Sequence, residues 1–369
     1  MIQKVHLQDF RNFKNKTLDF SDEITVIVGP NASGKTNILE SLSLISTGKS
    51  FKARIESEML RYEQDLARIS GAMTTSAGAI SYMPYAVGSE NHKAYSMEHN
   101  TKLEVVMTEG LNGWPKKRLL VGGVPKHTID FAGNFKTVLF GPWDMDLVTE
   151  SPSIRRKFLD NVLSQIDKEY RRSVLSYDKG LRQRNKLLWR IREEGVPRSQ
   201  LLFWNQLLIK NGDYITQKRE EFINFVNESG KSNKPIKTID YRLEYDKSII
   251  SEGRLEQYKN EEVAAATTLV GPHRDDFVFF DDKRNLASFG SRGEQRMGVL
   301  WLKMAELDYI EKSSEERPTL LLDDIFSELD EDHRKIVMDL AKKQQTIITT
   351  ADNHFLKELK ENSKKIINL

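Results

Sequence analysis

The glycine-rich octapeptide Gly29–Thr36 constrains this chain more than any other stretch, because it matches the pattern G-x-x-x-x-G-K-[ST] at every fixed position. The apolar, β-branched run Ile24–Val28 precedes it, and Ile38, Leu39 and Leu42 follow it at helical spacing. This order predicts a buried strand, a loop and a helix. That context distinguishes a phosphate-binding loop from a chance match, which is the alternative interpretation of the octapeptide.

The residue types in such a loop suit a nucleotide. Backbone N–H groups turn inward around a polyphosphate, and the helix N-terminus adds the positive end of its dipole. We expect Lys35 to be an exposed, catalytically important cation that reaches the β- and γ-phosphates, and the Thr36 hydroxyl to ligate Mg²⁺. The predicted nucleotide-binding residues are Gly29, Pro30, Asn31, Ala32, Ser33, Gly34, Lys35 and Thr36.

The composition narrows the chemistry and the cellular setting. The 369 residues are enough for about two or three domains. The absence of cysteine excludes disulfides, thiolate catalysis and Cys-ligated metals, so any metal must bind oxygen or histidine. The net charge of +2, from 56 basic and 54 acidic residues, says little about partners. No run approaches the roughly 18 apolar residues of a membrane span, so we expect a cytoplasmic protein without membrane contact.

Strand-like patterns dominate the first part of the chain. Residues 2–20 alternate apolar and polar side chains in two short runs, which predicts a hairpin at the edge of the nucleotide-binding sheet. Further strands are predicted between residues 66 and 139, with a turn at Gly122-Gly123. Residues 82–100 have no clear period, and we expect an irregular surface loop there.

The middle of the chain has a different character. Residues 153–227 carry long helical patterns with almost no strand signal, and strands and helices alternate again from residue 269 onward. These changes predict a discontinuous α/β head formed by residues 1–152 and 268–369. A mainly helical lobe, residues 153–267, is predicted to be inserted between the two head segments.

A second nucleotide-related element follows in the last quarter of the sequence. The apolar run that starts at Thr319 ends in two acids, Asp323 and Asp324, which is the form of a Walker B strand. Placed beside the phosphate loop, Asp323 would hold Mg²⁺ directly or through water, and Asp324 would orient the attacking water as general base. The alternative is an ordinary strand that ends in a solvated Asp-Asp turn.

A Ser/Gly-rich turn begins another helix about thirty residues upstream. It is suited to an anion, and since one ATP cannot easily occupy two anion sites of one subunit, we predict that it closes over the γ-phosphate bound to another subunit. The alternative is a simple helix N-cap. The predicted residues of this signature turn are Ser291, Arg292, Gly293, Glu294 and Gln295. After the Walker B strand, Ser327 and Asp330 belong to a stretch similar to the D-loop of cassette ATPases.

Taken together, these pieces resemble the RecF family, cassette-type ATPases related to the structural-maintenance-of-chromosomes (SMC) proteins. The resemblance runs along nearly the whole chain. It rests on Leu7–Phe13, Gly29–Thr36, Phe140–Asp144, Arg155–Asp160, Tyr177–Asn185, Gly271–Asp276, Ser291–Arg296 and Leu321–Asp330. The glycine loop and Walker B strand occur in many ATPases, whereas Arg155–Asp160 and Gly271–Asp276 are far more specific.

The resemblance implies an α/β fold: an ABC-type ATPase head, a mixed sheet with a P-loop, and a mainly helical second lobe. It also implies ATP and Mg²⁺ as cofactors, with Arg11 and Asn12 near the nucleotide. The implied function is a weak, DNA-dependent ATPase that acts as a switch in recombination and repair. Its implied partners are single- and double-stranded or gapped DNA, a second copy of itself with ATP, and recombination mediators of the RecO/RecR type.

Three positions depart from related patterns. Trp143 precedes Asp144 where the family usually carries Glu, so no role of that Glu is transferred. Asp324 stands where fast cassette ATPases carry Glu, and its shorter side chain fits slow, switch-like hydrolysis. Thr349 stands near the position of the γ-phosphate-sensing His of transporters.

A basic stretch of the helical region is a candidate DNA surface. Residues 179–192 contain six basic residues and no acid, and Lys179, Arg182 and Lys186 fall on one helical face where they would contact phosphates without reading bases. A solvated helix face is the alternative. A functional and a structural role are both open for Arg155, Arg156, His273 and Arg274.

Other classes of protein fit less well. A transporter ATPase subunit predicts a switch histidine and a surface for a membrane partner, and a chromosome-organising SMC head needs a long coiled coil that 369 residues do not allow. A nuclease-type relative requires a further cluster of metal-ligating carboxylates or histidines, which the sequence lacks.

Overall fold

The computed structural model describes residues 1–75, 99–110, 116–232, 240–327, 329–351 and 364–369. Residues 82–98 of the predicted irregular loop lie outside this part of the chain, whereas residues 99 and 100 begin a strand. The chain divides into two compact units. The first contains Met1–Phe131, Thr319–Ser327 and Val337–Leu369, and the second contains Ala132–Pro318 and Glu328–Ile336.

The strands are, in chain order, β1 (Ile2–Phe10), β2 (Phe13–Asp19), β3 (Ile24–Val28), β4 (Leu66–Thr75), β5 (His99–Thr108), β6 (Lys117–Val121), β7 (Val124–Lys126), β8 (Thr137–Phe140), β9 (Tyr241–Asp246), β10 (Asp276–Asp281), β11 (Arg284–Asn285), β12 (Thr319–Asp323), β13 (Thr346–Thr350) and β14 (Lys364–Asn368). The α-helices are α1 (Lys35–Thr47), α2 (Thr128–Phe131), α3 (Asp146–Thr149), α4 (Pro152–Ile166), α5 (Lys168–Glu194), α6 (Leu202–Ser232), α7 (Glu252–Gln257), α8 (Lys259–Ala265), α9 (Leu286–Phe289), α10 (Arg292–Ser314) and α11 (Glu331–Ala341).

The predicted N-terminal hairpin forms, but not at the edge of the nucleotide-binding sheet. Strands β1 and β2 belong to an antiparallel sheet with the order β2-β1-β4-β5-β6-β7. β1 pairs with β2 on one side and with β4 on the other, and it buries Ile2, Val5, Leu7 and Phe10. Alternation of this kind suits a sheet with one buried face, whereas β3 is buried along its whole length and belongs to a different sheet.

The nucleotide-binding strand lies in a parallel sheet of the first unit. Strands β14, β3, β13 and β12 are neighbours in that order and all pair in parallel. Helix α1 contacts β4 and β5 of the antiparallel sheet as well as β12 and β13 of the parallel sheet. Because it packs between two sheets, α1 is buried on almost all sides from Ile38 to Thr47. The strand predicted at residues 24–28 and the Walker B strand predicted to begin at Thr319 are confirmed.

The second unit is built on long helices, as the sequence pattern predicts. Helix α5 begins at the N-cap Asp167, whose side chain accepts a hydrogen bond from the Tyr170 N–H, and it ends at Gly195, where φ is 67°. Helix α6 runs back against α5, and α4 and α10 pack on α6. Strands β11, β10 and β9 form a small antiparallel sheet in the same unit.

The boundaries of the compact units differ from the predicted ones. The second unit contains not only the predicted lobe, residues 153–267, but also residues 132–152 and 268–318. The reason is tertiary packing: β10 pairs along its whole length with β9, and α10 contacts α4 and α6. The spacing of apolar residues predicts where helices begin. It does not show which later strand and helix pack against them.

Polar contacts within the second unit bear on the questions left open for four residues. Arg155 makes a bidentate pair with Asp276 at 2.6 and 2.9 Å. Arg156 donates to the Asp275 carbonyl at 2.8 Å, and Arg274 donates to the Thr268 carbonyl. These contacts support the structural interpretation of these arginines.

His273 is also engaged in packing. Its Nε2 lies 3.1 Å from the Thr268 carbonyl, which accepts only, so Nε2 carries the proton and Nδ1 accepts from the Tyr177 hydroxyl at 2.9 Å. Burial lowers the pKa of His273 to about 4, and the imidazole is neutral near pH 7. His273 thus joins α5 to the turn before β10.

No helix of the described ranges combines the length and the apolar character that crossing a bilayer demands.

Candidate nucleotide-binding site and basic helix face

The glycine loop has the geometry of a phosphate cradle. Helix α1 begins at Lys35 after the N-cap Gly34, whose φ of 103° favours glycine. A Cβ at Gly34 would lie 2.6 Å from Nδ2 of Asn12. That amide donates to the Ser33 carbonyl at 3.0 Å, so the predicted residue Asn12 fixes the loop from outside.

A buried polar atom inside the loop tests whether the site suits a phosphate. The Ser33 Oγ is buried and has no hydrogen-bond partner within the described residues. A Cβ at Gly29 would lie 2.8 Å from this oxygen, so the absence of a side chain at Gly29 leaves the hydroxyl room. A buried donor without an acceptor is costly, and a phosphate oxygen is an acceptor that fits it. The loop residues therefore fit a nucleoside triphosphate.

The expectation that Lys35 is an exposed cation is wrong. Lys35 is only 7% exposed, and its Nζ donates to the carbonyls of Gly29 at 2.8 Å and Pro30 at 3.0 Å. The loop curls around the ammonium group, and its inward carbonyls offer the nearest acceptors. This position keeps the cation inside the loop, where the phosphates of a nucleotide would lie.

Thr36 and Asp323 meet as the two sequence motifs predict. The Thr36 hydroxyl donates to Asp323 Oδ2 at 2.7 Å, although the residues are 287 positions apart. Thr349 holds the other oxygen, Oδ1, at 2.5 Å. Within the described residues there is no group of three or more His, Asp or Glu that could hold a metal. One hydroxyl and one carboxylate fit Mg²⁺, which keeps several waters and takes further oxygens from a substrate phosphate.

Asp324 occupies an unusual backbone conformation beside this pair. Its φ is 50°, in the left-handed region that non-glycine residues rarely adopt. Its N–H donates to the Thr349 carbonyl at 3.1 Å, and its own carbonyl accepts from the Ser327 hydroxyl at 2.7 Å. These two bonds hold the strained residue directly after the magnesium-ligand candidate Asp323.

Arg11, which is predicted to lie near the nucleotide, pairs with another residue of the chain. The Arg11 guanidinium makes a bidentate pair with Glu40 of α1 at 2.6 and 2.8 Å, and the Glu40 side chain is fully buried. Arg11 therefore anchors the β1–β2 turn to α1 and satisfies a buried charge. Its neighbour Asn12 is the residue that touches the loop.

The signature turn lies in the second unit. The Ser291 Oγ accepts from the Glu294 N–H at 3.3 Å, and the Glu294 carboxylate accepts from the Ser291 N–H at 2.7 Å, which completes a capping box. Ser291, Arg292 and Gly293 are exposed. Gln295, predicted to belong to the anion site, is instead buried and donates to the Leu286 carbonyl at 2.9 Å, because it faces α9.

The two D-loop residues are both exposed. Ser327 ends a short 3-10 helix. The Asp330 carboxylate accepts from the His333 N–H at 3.0 Å, and this hydrogen bond holds the pKa of Asp330 below its ordinary value. Asp330 therefore acts locally as the N-cap of α11. Between them, Glu328 lies outside the described residues.

The basic face of α5 is smaller than the sequence suggests. Lys179, Arg182 and Lys186 are exposed and make no hydrogen bond or ion pair with the rest of the described chain. Arg190 and Arg192 pair with the adjacent Glu194 and Glu193. Two of the six predicted cations are therefore engaged in ion pairs, and a third, Arg184, is buried.

Arg184 points to the opposite side of α5. Its side chain is 2% exposed and its Nη2 lies 2.6 Å from Glu262 Oε2. It also donates to Asn205 at 2.7 Å and to Thr268 at 2.8 Å. Arg184 is a structural residue that ties α5 to α6 and α8, and it does not belong to the candidate DNA surface.

A phosphate loop after a parallel strand, with Thr36 hydrogen-bonded to the acid that ends β12 of the same sheet, defines a P-loop ATPase of the ABC type. The family described as RecF/RecN/SMC N terminal domain matches residues 1–368. The chain belongs to the RecF family of DNA replication and repair proteins, as its relatives confirm.

Two curated relatives carry the name DNA replication and repair protein RecF. The protein of Herpetosiphon aurantiacus is 32% identical over 95% of this chain and 93% of its own. That of Bacillus cytotoxicus is 33% identical over 95% of this chain and 91% of its own.

Solved structures agree with this assignment. A recombination mediator protein RecF–ATP of the RecFOR pathway aligns with a TM-score of 0.82 and 29% identity, over 95% of this chain and 92% of its own. An SMC head bound to the C-winged helix domain of ScpA aligns with a TM-score of 0.51 and 17% identity over 100% of this chain and 93% of its own, which concerns the fold alone.

Proposed function

We propose that this protein is a cytoplasmic, ATP-dependent switch that binds DNA during recombination and repair. In this proposal ATP binding joins two copies of the chain, the dimer holds DNA, and slow hydrolysis releases it. The observation that carries the proposal is the 2.7 Å hydrogen bond between Thr36 and Asp323, since it joins two motifs from distant parts of the sequence. The resemblance to a RecF–ATP structure at 29% identity supports the choice of ATP.

Four residues have distinct proposed roles at the nucleotide. Lys35 neutralises the β- and γ-phosphates from inside the loop, and Thr36 and Asp323 ligate Mg²⁺. Asp324 orients the attacking water and accepts its proton. Bound ATP with Mg²⁺ supplies the phosphoanhydride bond whose hydrolysis resets the switch. A carboxylate one methylene shorter than Glu at position 324 is consistent with slow turnover.

We further propose that the signature turn acts in trans. Ser291 and Gly293 are exposed at the start of the 23-residue helix α10, where free N–H groups and the helix dipole favour an anion. The loop Gly29–Thr36 already surrounds the phosphates of its own nucleotide, so the turn is available to a nucleotide bound by the second copy. Arg292 at the turn and the D-loop residues Ser327 and Asp330 are proposed to lie at the same dimer interface.

The proposed DNA surface is the line of free cations on α5. Lys179, Arg182 and Lys186 have no partner in the described chain, so phosphates would not compete with existing ion pairs. Backbone contacts of this type position DNA without reading its sequence. We propose that gapped DNA is bound in this way and that mediators of the RecO/RecR type act on the same complex.

A binding titration with gapped DNA tests this function. DNA affinity is measured with and without ATP and Mg²⁺, at several salt concentrations, for the wild type and for a variant with Lys179→Glu, Arg182→Glu and Lys186→Glu. ATP should tighten binding by the wild type. The triple variant should bind ATP normally but bind DNA weakly, with a log–log salt slope that is smaller by roughly 2 to 3, because each lost phosphate contact removes about 0.7–0.9.

A matched control keeps the same change of net charge. Three other lysines of the second unit are also exposed and make no ion pair with the described chain: Lys157 in α4, Lys210 in α6 and Lys283 in the turn between β10 and β11. Reversing these three charges should leave the salt slope close to that of the wild type. If both triple variants behave alike, the α5 face has no special part in binding. If ATP does not change the DNA affinity of the wild type, the proposal of an ATP-dependent switch is wrong.

A further inference from the structure

The exposed stripe of α5 contains two apolar side chains besides its three free cations. Leu175 is 40% exposed and Trp189 is 47% exposed, and the stripe is formed by Leu175, Lys179, Arg182, Lys186 and Trp189. At 3.6 residues per turn these five positions fall within roughly 80° of arc. A single exposed apolar side chain is common on protein surfaces. An aromatic ring in line with unpaired cations is the combination that single-strand-binding surfaces use.

The opposite side of α5 accounts for its packing. Tyr170, Val174, Tyr177, Gly180, Arg184 and Leu188 are buried against the rest of the second unit. The five residues of the stripe lie on the exposed side of the same helix. Trp189 makes no ring contact or hydrogen bond with the described residues, so its indole face is available to a ligand.

The spacing along the stripe matches one strand of a nucleic acid. A rise of about 1.5 Å per residue places Lys179 about 10 Å from Lys186, and Trp189 about 4.5 Å further along the axis. A strand whose bases remain stacked advances about 3.4 Å per nucleotide, so the distance between the outer cations corresponds to about three nucleotide steps. A strand that follows the cations arrives at the indole about one nucleotide later.

Stacking on an indole requires a base with an open face. In a continuous duplex the bases are covered by their neighbours, whereas the bases of a single-stranded segment are free to stack on aromatic side chains. We infer that Trp189 stacks on an unpaired base of a strand whose phosphates are bound by Lys179, Arg182 and Lys186. The ligand class is single-stranded DNA, including the single-stranded part of a gap. The inference rests on the proposed DNA-binding function and adds to it the residue that distinguishes unpaired from paired DNA.

The test compares two ligands that differ in one feature. The full-length protein, with ATP and Mg²⁺, is titrated with a blunt duplex and with the same duplex carrying a single-stranded gap. Base stacking on an aromatic side chain is worth about 5- to 150-fold in affinity. Trp189→Ala should therefore weaken binding to gapped DNA by about tenfold or more, and binding to the blunt duplex by less than about twofold. Trp189→Phe should restore most of the affinity for gapped DNA.

Leu175→Ala provides the matched control. It removes an apolar side chain of similar exposure at the other end of the same stripe, but one without an aromatic face. It should leave both affinities unchanged. Trp189→Ala should also leave the salt slope unchanged, because no phosphate contact is lost. A structural role of Trp189 would instead lower both affinities, and the thermal midpoint, together.

The outcomes separate the inference from the function on which it rests. If charge reversal at Lys179, Arg182 and Lys186 leaves the salt slope unchanged, the proposed DNA surface is wrong, and the inference with it. If the slope flattens but Trp189→Ala weakens gapped and blunt DNA equally, the surface stands and the stacking role is overturned. If the slope flattens but Trp189→Ala changes no DNA affinity, the cations bind DNA and the stacking role is equally overturned.

Discussion

The Thr349 hydroxyl donates to Oδ1 of Asp323 at 2.5 Å, and it thereby fixes the carboxylate whose Oδ2 accepts from Thr36. Thr349 is fully buried in β13, the strand that lies between the strand of the phosphate loop and the strand of Asp323. Its role is to orient a metal-ligand candidate through a hydrogen bond. Such partners of a ligand are often nearly as important as the ligand itself.

We therefore expect Thr349→Val to weaken the Mg²⁺ affinity of the ATP complex by about 10- to 100-fold, because Asp323 loses the group that orients it. Nucleotide binding without Mg²⁺ should change little. Calorimetric titration of ATP at several Mg²⁺ concentrations measures both quantities.

Thr346→Val is the control for that change. Thr346 lies in the same strand and is also buried, but its hydroxyl donates to the Ala341 carbonyl at 2.9 Å. It should lose a similar amount of stability and keep the wild-type Mg²⁺ affinity. Equal Mg²⁺ affinities for the Thr349→Val and wild-type proteins would show that Asp323 does not depend on this contact.

Lys35→Met tests the cation of the loop while preserving much of the side-chain volume. Because Lys35 is buried and donates to two carbonyls, we expect a loss of about 1–2 kcal/mol in the free energy of unfolding, as well as loss of ATP binding. Urea unfolding with and without ATP separates the two effects. A ligand at 100 times its Kd stabilises a protein by about 2.7 kcal/mol, and the variant should show no such gain. A full gain in the variant would contradict the role of Lys35.

Asp324→Asn tests the proposed base. The variant keeps Thr36 and Asp323, so it should bind ATP and Mg²⁺ like the wild type. It loses the carboxylate that accepts a proton, and turnover should fall by about 10²- to 10⁴-fold, the usual contribution of a general base. The ATP-bound dimer should live correspondingly longer. Single-turnover hydrolysis and dimer lifetime are measured on one preparation, and undiminished turnover would place the base elsewhere.

Local pattern was enough to predict the elements that carry the site. The strands and helices around the phosphate loop follow from β-branched runs, helical spacing and glycines. The meeting of Thr36 and Asp323 followed from two motifs with known chemistry. In each case the information lies within a few residues.

Side-chain orientation was harder to predict because it depends on tertiary packing and on how a loop folds around its own side chains. Arg184 lies between Arg182 and Lys186 in sequence, yet it is buried by Glu262, which is 78 positions away. A spacing of two residues does place Arg184 on the other side of a helix, and this signal was available in the sequence. No local signal indicates that Lys35 turns to its own loop or that Gln295 faces α9.

A buried cluster of the second unit predicts a pH dependence of stability. Lys303 Nζ lies 3.2 Å from Asp144 Oδ1 and 3.1 Å from Glu306 Oε2, with all three side chains less than a tenth exposed. Burial raises the pKa of Glu306 from its ordinary value of 4.5 to about 7, and neighbouring Lys303 only partly opposes this. The folded protein therefore binds an additional proton between these two pH values.

The stabilisation that comes from this proton is fully present below about pH 4.5 and is lost as the pH rises through 7. Glu306→Gln removes the titrating group. The free energy of unfolding of the variant minus that of the wild type should increase by about 2–3 kcal/mol as the pH rises from 5 to 8. Urea denaturation across this range measures the difference. Glu311→Gln, at a partly exposed position of the same helix, should run parallel to the wild type, and a parallel curve for Glu306→Gln would refute the linkage.

In the proposed dimer, each ATP is enclosed by the loop of one chain and the signature turn of the other. Ser291→Arg adds bulk where the second chain's γ-phosphate must approach, so it should leave the ATP affinity of the monomer nearly unchanged and prevent ATP-induced dimerisation. Lys35→Ala should also fail to dimerise, because its own loop does not hold ATP. Neither substitution affects the element that the other one damages.

Sedimentation of these two variants, singly and mixed, in the presence of ATP is the most direct measurement. A mixed dimer can pair the intact loop of the Ser291→Arg chain with the intact turn of the Lys35→Ala chain and so form one complete site. We expect monomers for each variant alone and partial ATP-dependent dimerisation in the mixture. Wild-type dimerisation of the Ser291→Arg chain alone, or a mixture in which both variants bind as expected but remain monomeric, would contradict the shared site.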